Sequence, residues 1–152
     1  MGFFASIKAA FSGLLNPGTG KASLWDVPQG RANNRRLGRT GESMAVTHLK
    51  KNGYRMVDSN YRAKTGEVDI ICEEGGALVF VEVKMRRQRA FGPPQAAVDK
   101  RKQRKIARTA QHYLARTRQR GRRVRFDVLA ITVTGGEPVF RIIKNAFDSP
   151  FR

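Results

Sequence analysis

Apolar residues first recur at Phe3, Phe4, Ile7, Phe11, Leu14 and Leu15, a near-helical spacing that predicts a short amphipathic helix over residues 3 to 15. Residues 16 to 34 are rich in Pro, Gly and Asn, lack a sustained period and read as a mobile linker. Residues 1–36 are therefore expected to be an N-terminal extension. The run Gly18-Thr19-Gly20-Lys21 invites a phosphate-loop reading, but Leu15 and Ala22 stand where that loop requires Gly and Ser or Thr.

The pattern becomes regular near Leu37. Thr40 is placed to cap a helix in which Glu42, Ala45, Val46 and Leu49 share a stripe, and Asn52-Gly53 closes it. Strand-like runs follow at Tyr54–Tyr61, Glu67–Cys72 and Ala77–Met85, the last two joined by the turn Glu73-Glu74-Gly75-Gly76. Pro93-Pro94 closes an irregular stretch, and helical spacing returns from 95 to about 119, with Val98, Ile106, Ala110, Tyr113 and Leu114 on the apolar side. Arg125–Val133 and Pro138–Lys144, turned at Gly135-Gly136, supply two more strands. Helix, three strands, helix and two strands predict an α/β domain over 37–148, a mixed central sheet flanked by helices, with 149–152 as a tail.

Ala77-Leu78-Val79-Phe80-Val81-Glu82-Val83-Lys84 is apolar almost throughout, the mark of a central strand covered on both faces. Glu82 and Lys84 interrupt it two residues apart and so share a face. A buried charge without a partner costs several kcal/mol, roughly, so these residues call for each other, for neighbouring groups or for a metal. Glu67 and Asp69 share a face on the preceding strand, and hairpin pairing can bring that face beside Glu82 and Lys84.

Charge sharpens this reading. The 152 residues carry 30 Lys and Arg against 12 Asp and Glu, a formal charge of +18. Sixteen basic residues lie between Lys84 and Arg125 against one acid, Asp99, whereas Gly41 to Val83 holds seven acids and five bases. One part of the chain attracts polyanions and the other concentrates carboxylates. Helical spacing lines Lys100, Arg101, Arg104, Lys105 and Arg108 along one side, where their mutual repulsion calls for a polyanionic partner. With Arg86, Arg87 and Arg89 in a loop, they are expected to grip a nucleic-acid backbone, chiefly through phosphates. One cysteine, Cys72, excludes an intrachain disulfide and a multi-cysteine zinc site. His48 and His112 are not at ligand spacing with another His or Cys and read as surface residues. No apolar stretch approaches the ~20 residues of a membrane span, and a reduced, cytoplasmic protein is expected.

Two or three carboxylates and a lysine beside a basic helix suit phosphodiester hydrolysis. Mg²⁺, or Mn²⁺ in its place, takes hard oxygen ligands and is commonly held by one or two carboxylates with water and substrate phosphate. A lysine alongside can orient the attacking water, help remove its proton or stabilise the developing charge. Structural salt bridges, Glu82 with Lys84 and Asp69 with Arg62, are the alternative. Glu42 either faces inward with its apolar stripe or stabilises its helix dipole. Glu67 is either a supporting group or solvated, and Asp127 is expected to pair with an arginine.

Gly66-Glu67-Val68-Asp69 followed by Glu82-Val83-Lys84 resembles the signature of the PD-(D/E)XK nuclease superfamily, with Val68 where the signature has proline. The element order is similar to that superfamily's restriction-endonuclease-like core. More closely, Leu37-Gly38-Arg39-Thr40-Gly41-Glu42, Phe80-Val81-Glu82-Val83-Lys84 and Arg125-Phe126-Asp127 resemble the small bacterial YraN family, grouped by fold with archaeal Holliday-junction resolvases. The resemblance covers roughly residues 37 to 147. It implies Asp69 and Glu82 as metal ligands, Glu42 as a further acidic contributor and Lys84 as the catalytic lysine. It also implies DNA, branched or junction DNA included, as substrate and a homodimer as the working unit. Two other readings remain open at this stage: a nucleic-acid-binding module that keeps the fold without activity, and a ribosomal or nucleoid structural protein acting by charge alone, with its acids far apart.

Overall fold

The computed structural model describes residues 31–87, 98–134 and 137–149, with the side chains of 31–40, 86–87 and 133–134 left aside. The expected helix at 3–15, the Pro93-Pro94 and Gly135-Gly136 segments, Arg89 and the end of the tail lie outside the described residues, as do the side chains of Arg86 and Arg87. The chain divides into two compact units, Met1–Gly38 and Arg39–Arg152. The sheet and the candidate site described below belong to the second.

In chain order the elements are α1 (Arg31–Lys51), β1 (Arg55–Ala63), β2 (Gly66–Glu74), β3 (Ala77–Arg87), α2 (Lys100–Arg116), β4 (Val124–Thr134) and β5 (Glu137–Ile143). They form a five-stranded sheet in sequential order, antiparallel except that β3 runs parallel to β4. A parallel pair needs a crossover, which α2 provides. The mixed α/β architecture is as expected from the order of elements. Three boundaries differ. The first helix begins at Arg31, not Thr40, so part of the supposed linker is helical. The second begins at Lys100, where the Asp99 carboxylate accepts the Lys102 N–H at 2.8 Å as N-cap. Arg86 and Arg87 belong to β3, not to a loop.

The core lies on both faces of the sheet. Ile106, Ala107, Ala110 and Tyr113 of α2 pack on Ile71, Leu78, Phe80, Phe126 and Val128, while Ala45 and Leu49 of α1 pack on Ile70, Val79, Val81, Leu129 and Ile131. Successive β3 residues thus serve opposite clusters, which explains why that strand reads as continuously apolar. At the start of β4, Asp127 is 1% exposed and accepts from Arg125 Nε and Nη2 at 2.8 Å each, from Tyr54 Oη at 3.0 Å and from the Asn145 N–H at 3.0 Å. Burial and the Asp127 charge hold the Tyr54 hydroxyl well above its usual range. This network joins β4, the residues before β1 and the chain after β5, and its polar atoms are satisfied within it.

Candidate active site

β2 and β3 pair from Glu74↔Ala77 to Ile70↔Val81 and no further. Where the ladder stops, the Asp69 carboxylate accepts the Val83 N–H at 2.8 Å, a side chain tying the two strands together. Strict alternation also breaks here, because Val68 belongs to the cluster under α2 and Ile70 to the one under α1. Asp69 therefore sits at an irregularity in β2, a common way for a strand to re-aim a side chain.

Glu82 follows Val81, the last β3 residue paired with β2, and is 4% exposed. Its Oε1 lies 3.0 Å from Lys84 Nζ and its Oε2 3.3 Å from Lys102 Nζ of α2. The Lys102 approach lacks hydrogen-bond geometry, and among the described residues Oε2 is the one buried side-chain polar atom without a hydrogen bond. The ion pair between Glu82 and Lys84 expected from their shared face is present; that between Asp69 and Arg62 is not, since Arg62 meets exposed Glu67 at 3.6 Å. Glu67 is thereby turned to solvent and away from Glu82.

Electrostatics connects the remaining acids. Burial first, and then the Glu82 charge, push the Asp69 carboxyl from an ordinary 3.8 to about 6; the Val83 N–H and Lys102 oppose this, and Glu42 adds to it. Asp69 thus feels the charge of Glu82 and, more weakly, that of Glu42. Glu42 is held from outside: Asn60 Nδ2 of β1 donates to its Oε2 at 3.0 Å, with Asn60 at φ 54°. Among the described residues, no three His, Cys, Asp or Glu side chains are gathered closely enough to cage a metal unaided.

Lys100, Arg101, Arg104, Lys105 and Arg108 are all exposed along α2. Lys102 differs: it falls four residues from each of Val98 and Ile106, both buried, and the helix turns it toward the sheet. That position on the apolar stripe was the available sequence signal for Lys102. His48 is not a bare surface residue, since it stacks on Phe140 with ring centroids 4.4 Å apart, and burial followed by Lys51 lowers its pKa. Exposed His112 has Nδ1 2.7 Å from the Tyr61 hydroxyl. Neither lies with the acids. Cys72 is buried in β2, as expected, and its thiol is pushed up to about 12, chiefly by that burial. No helix among the described residues is long and apolar enough to cross a membrane.

Comparison with known proteins adds a family but no activity. The family model described as "Uncharacterised protein family UPF0102" matches residues 41–131. A UPF0102 protein of Geobacter metallireducens is 45% identical over 115 residues, covering 76% of this chain and 94% of the relative. One from Desulfosudis oleivorans is 48% identical over 112 residues, covering 74% and 89%. A third, from Persephonella marina, is 42% identical over 111 residues, covering 73% and 92%.

Proposed function

The chain belongs to the uncharacterised protein family UPF0102, and we propose that it is a Mg²⁺- or Mn²⁺-dependent nuclease of PD-(D/E)XK type, acting on DNA and on branched or junction DNA in particular. The observation that carries this reading is the placement of Asp69 and Glu82 where the β2–β3 ladder ends, beside the Lys84 ammonium. A half-buried carboxyl raised by burial and by a like charge beside it, close to a lysine, is the kind of perturbed group that functional sites gather.

The residues fit a hard divalent cation. Among the described residues Glu82 Oε2 is a buried oxygen without a hydrogen bond, and Asp69 is raised by burial and then by the Glu82 charge, so both gain from added positive charge. Asp69 and Glu82 would hold the ion and Glu42 would assist from its Asn60-braced position, with water and substrate phosphate completing the set. When bound, the ion supplies Lewis-acid stabilisation of phosphoryl oxygens and lowers the pKa of water.

The chain's own groups do the rest. Lys84, fixed on the same face as Glu82, directs its ammonium to the attacking water or to charge developing on phosphate. Lys100, Arg101, Arg104, Lys105 and Arg108 hold the backbone by phosphate contacts that read shape more than sequence. Two such sites in a homodimer would serve a substrate with two strands to cut.

Cleavage of plasmid and junction DNA with Mg²⁺, comparing wild type with Asp69→Ala and Lys84→Ala, tests the reading. Activity confined to the wild type is expected; equal product from all three would reject it. One observation favours a second reading, a non-catalytic nucleic-acid-binding module: both Glu82 oxygens already face ammonium groups. That module would bind the same DNA as tightly in Asp69→Ala and cleave it in neither form.

A further inference from the structure

Lys84 alone would neutralise Glu82, yet a second ammonium is directed at the same carboxylate from a different element. Lys84 comes from Glu82's own strand, at 3.0 Å from Oε1; Lys102 comes from the first turn of α2, at 3.3 Å from Oε2. The two contacts differ in quality. Among the described residues no hydrogen bond reaches Oε2, the oxygen facing Lys102, although Glu82 is 4% exposed. The Lys102 backbone is pinned, because its N–H caps onto Asp99 at 2.8 Å, and its position between buried Val98 and Ile106 aims the side chain at the sheet. Only the side chain is left to move, and at 27% exposure it has a path to solvent.

Resting on the nuclease reading above, we propose that Lys102 is a displaceable counter-cation of Glu82. It neutralises the Oε2 side of the carboxylate while no divalent ion is bound, and when one binds it gives up that oxygen and moves its ammonium into the solvent its side chain already reaches. Lys102 is a positioning residue in this scheme: it acts through the occupancy of Glu82, not on the reacting atoms. The Lys102 charge also opposes the repulsion felt at Asp69.

The test is Mn²⁺ binding to the full chain by isothermal titration calorimetry, which needs no turnover. Wild type, Lys102→Met, Lys102→Arg and Asp69→Ala are compared, with circular dichroism and thermal melts to check folding. Lys102→Met is expected to bind Mn²⁺ about tenfold more tightly, the order of change when a competing charge ~4 Å away is removed from a partly screened site. Lys102→Arg should restore wild-type affinity, which a merely structural role for the side chain would not require. Asp69-dependent Mn²⁺ binding in wild type that is unchanged or weakened in folded Lys102→Met overturns the role of Lys102 and leaves the metal reading standing. Absence of Asp69-dependent binding in every variant overturns both.

Discussion

The Val83 N–H donates to the Asp69 carboxylate at 2.8 Å, at the point where backbone pairing between the two strands has ended. One side chain thus serves two purposes: it closes a backbone donor in the sheet and carries a charge toward Glu82. Removing the charge and removing the acceptor should have separable effects.

Asp69→Asn keeps an oxygen to accept the Val83 N–H, whereas Asp69→Ala leaves that donor without its partner, a loss of about 1–3 kcal/mol. Both variants should lose Mg²⁺-dependent cleavage. In urea denaturation at neutral pH, Asp69→Asn should be at least as stable as wild type and Asp69→Ala less stable than Asp69→Asn. Equal stability of the two variants would mean that the acceptor contributes nothing.

The pH dependence of stability has a defined sign. With the Asp69 carboxyl at about 6 in the fold against an ordinary 3.8, the folded chain keeps a proton that the unfolded chain has released. This group's contribution is fully present below about pH 3.8 and is lost as pH rises through about 6, at up to ~1.4 kcal/mol per pH unit. Asp69→Asn should remove that fall, so its stability advantage over wild type should grow between pH 4 and pH 7. An advantage constant with pH would contradict a carboxyl raised by burial and by its neighbours.

Gly41 lies where α1 approaches the end of β3: a Cβ built there would sit 2.5 Å from Met85 Sδ. Alanine is favoured over glycine inside a helix by roughly 0.5–1 kcal/mol, and the displaced atom belongs to a flexible side chain. Gly41→Ala should therefore be close to neutral alone and stabilising in a Met85→Ala background. Chemical denaturation of the four chains of this double-mutant cycle measures the coupling; additive effects would exclude the close approach.

Asp127 offers a control away from the acids. Asp127→Ala leaves Arg125 with Glu74 at 2.7 Å but strips a buried carboxylate from Tyr54 and the Asn145 N–H. A loss of about 3 kcal/mol is expected from breaking such a pair. Mn²⁺ affinity of the folded fraction should stay at the wild-type value, and a change in it would connect the two networks.

Duplex binding measured against salt checks the outer face of α2. Replacing Arg101, Arg104 and Lys105 by alanine should flatten log K against log salt by about 0.9 for each phosphate contact removed. An unchanged slope would place the nucleic acid elsewhere.

The strands were legible because their signals are local. Ala77–Lys84 reads as a central strand from composition alone, and the Glu82–Lys84 spacing fixes a shared face that the fold keeps. Lys102 was harder to see: among sixteen basic residues it looks like one more cation, and only its helical phase with Val98 and Ile106 sets it apart. The α1 start was missed because Arg31 to Arg36 carry no apolar period. Glu67 and Asp69 share a face by simple alternation, but the irregularity at Asp69 separates their partners, and periodicity has no sign for a broken period.

The sheet follows chain order, and its consequence is temporal. Asp69 and Glu82 reside on one hairpin, so a chain emerging from the ribosome brings its two repelling acids together early, before the crossover that delivers Lys102. The hairpin carries Lys84 as its own counter-charge from the start, and the docking of α2 adds the second ammonium, which gives the nascent domain an electrostatic reason to complete its third layer.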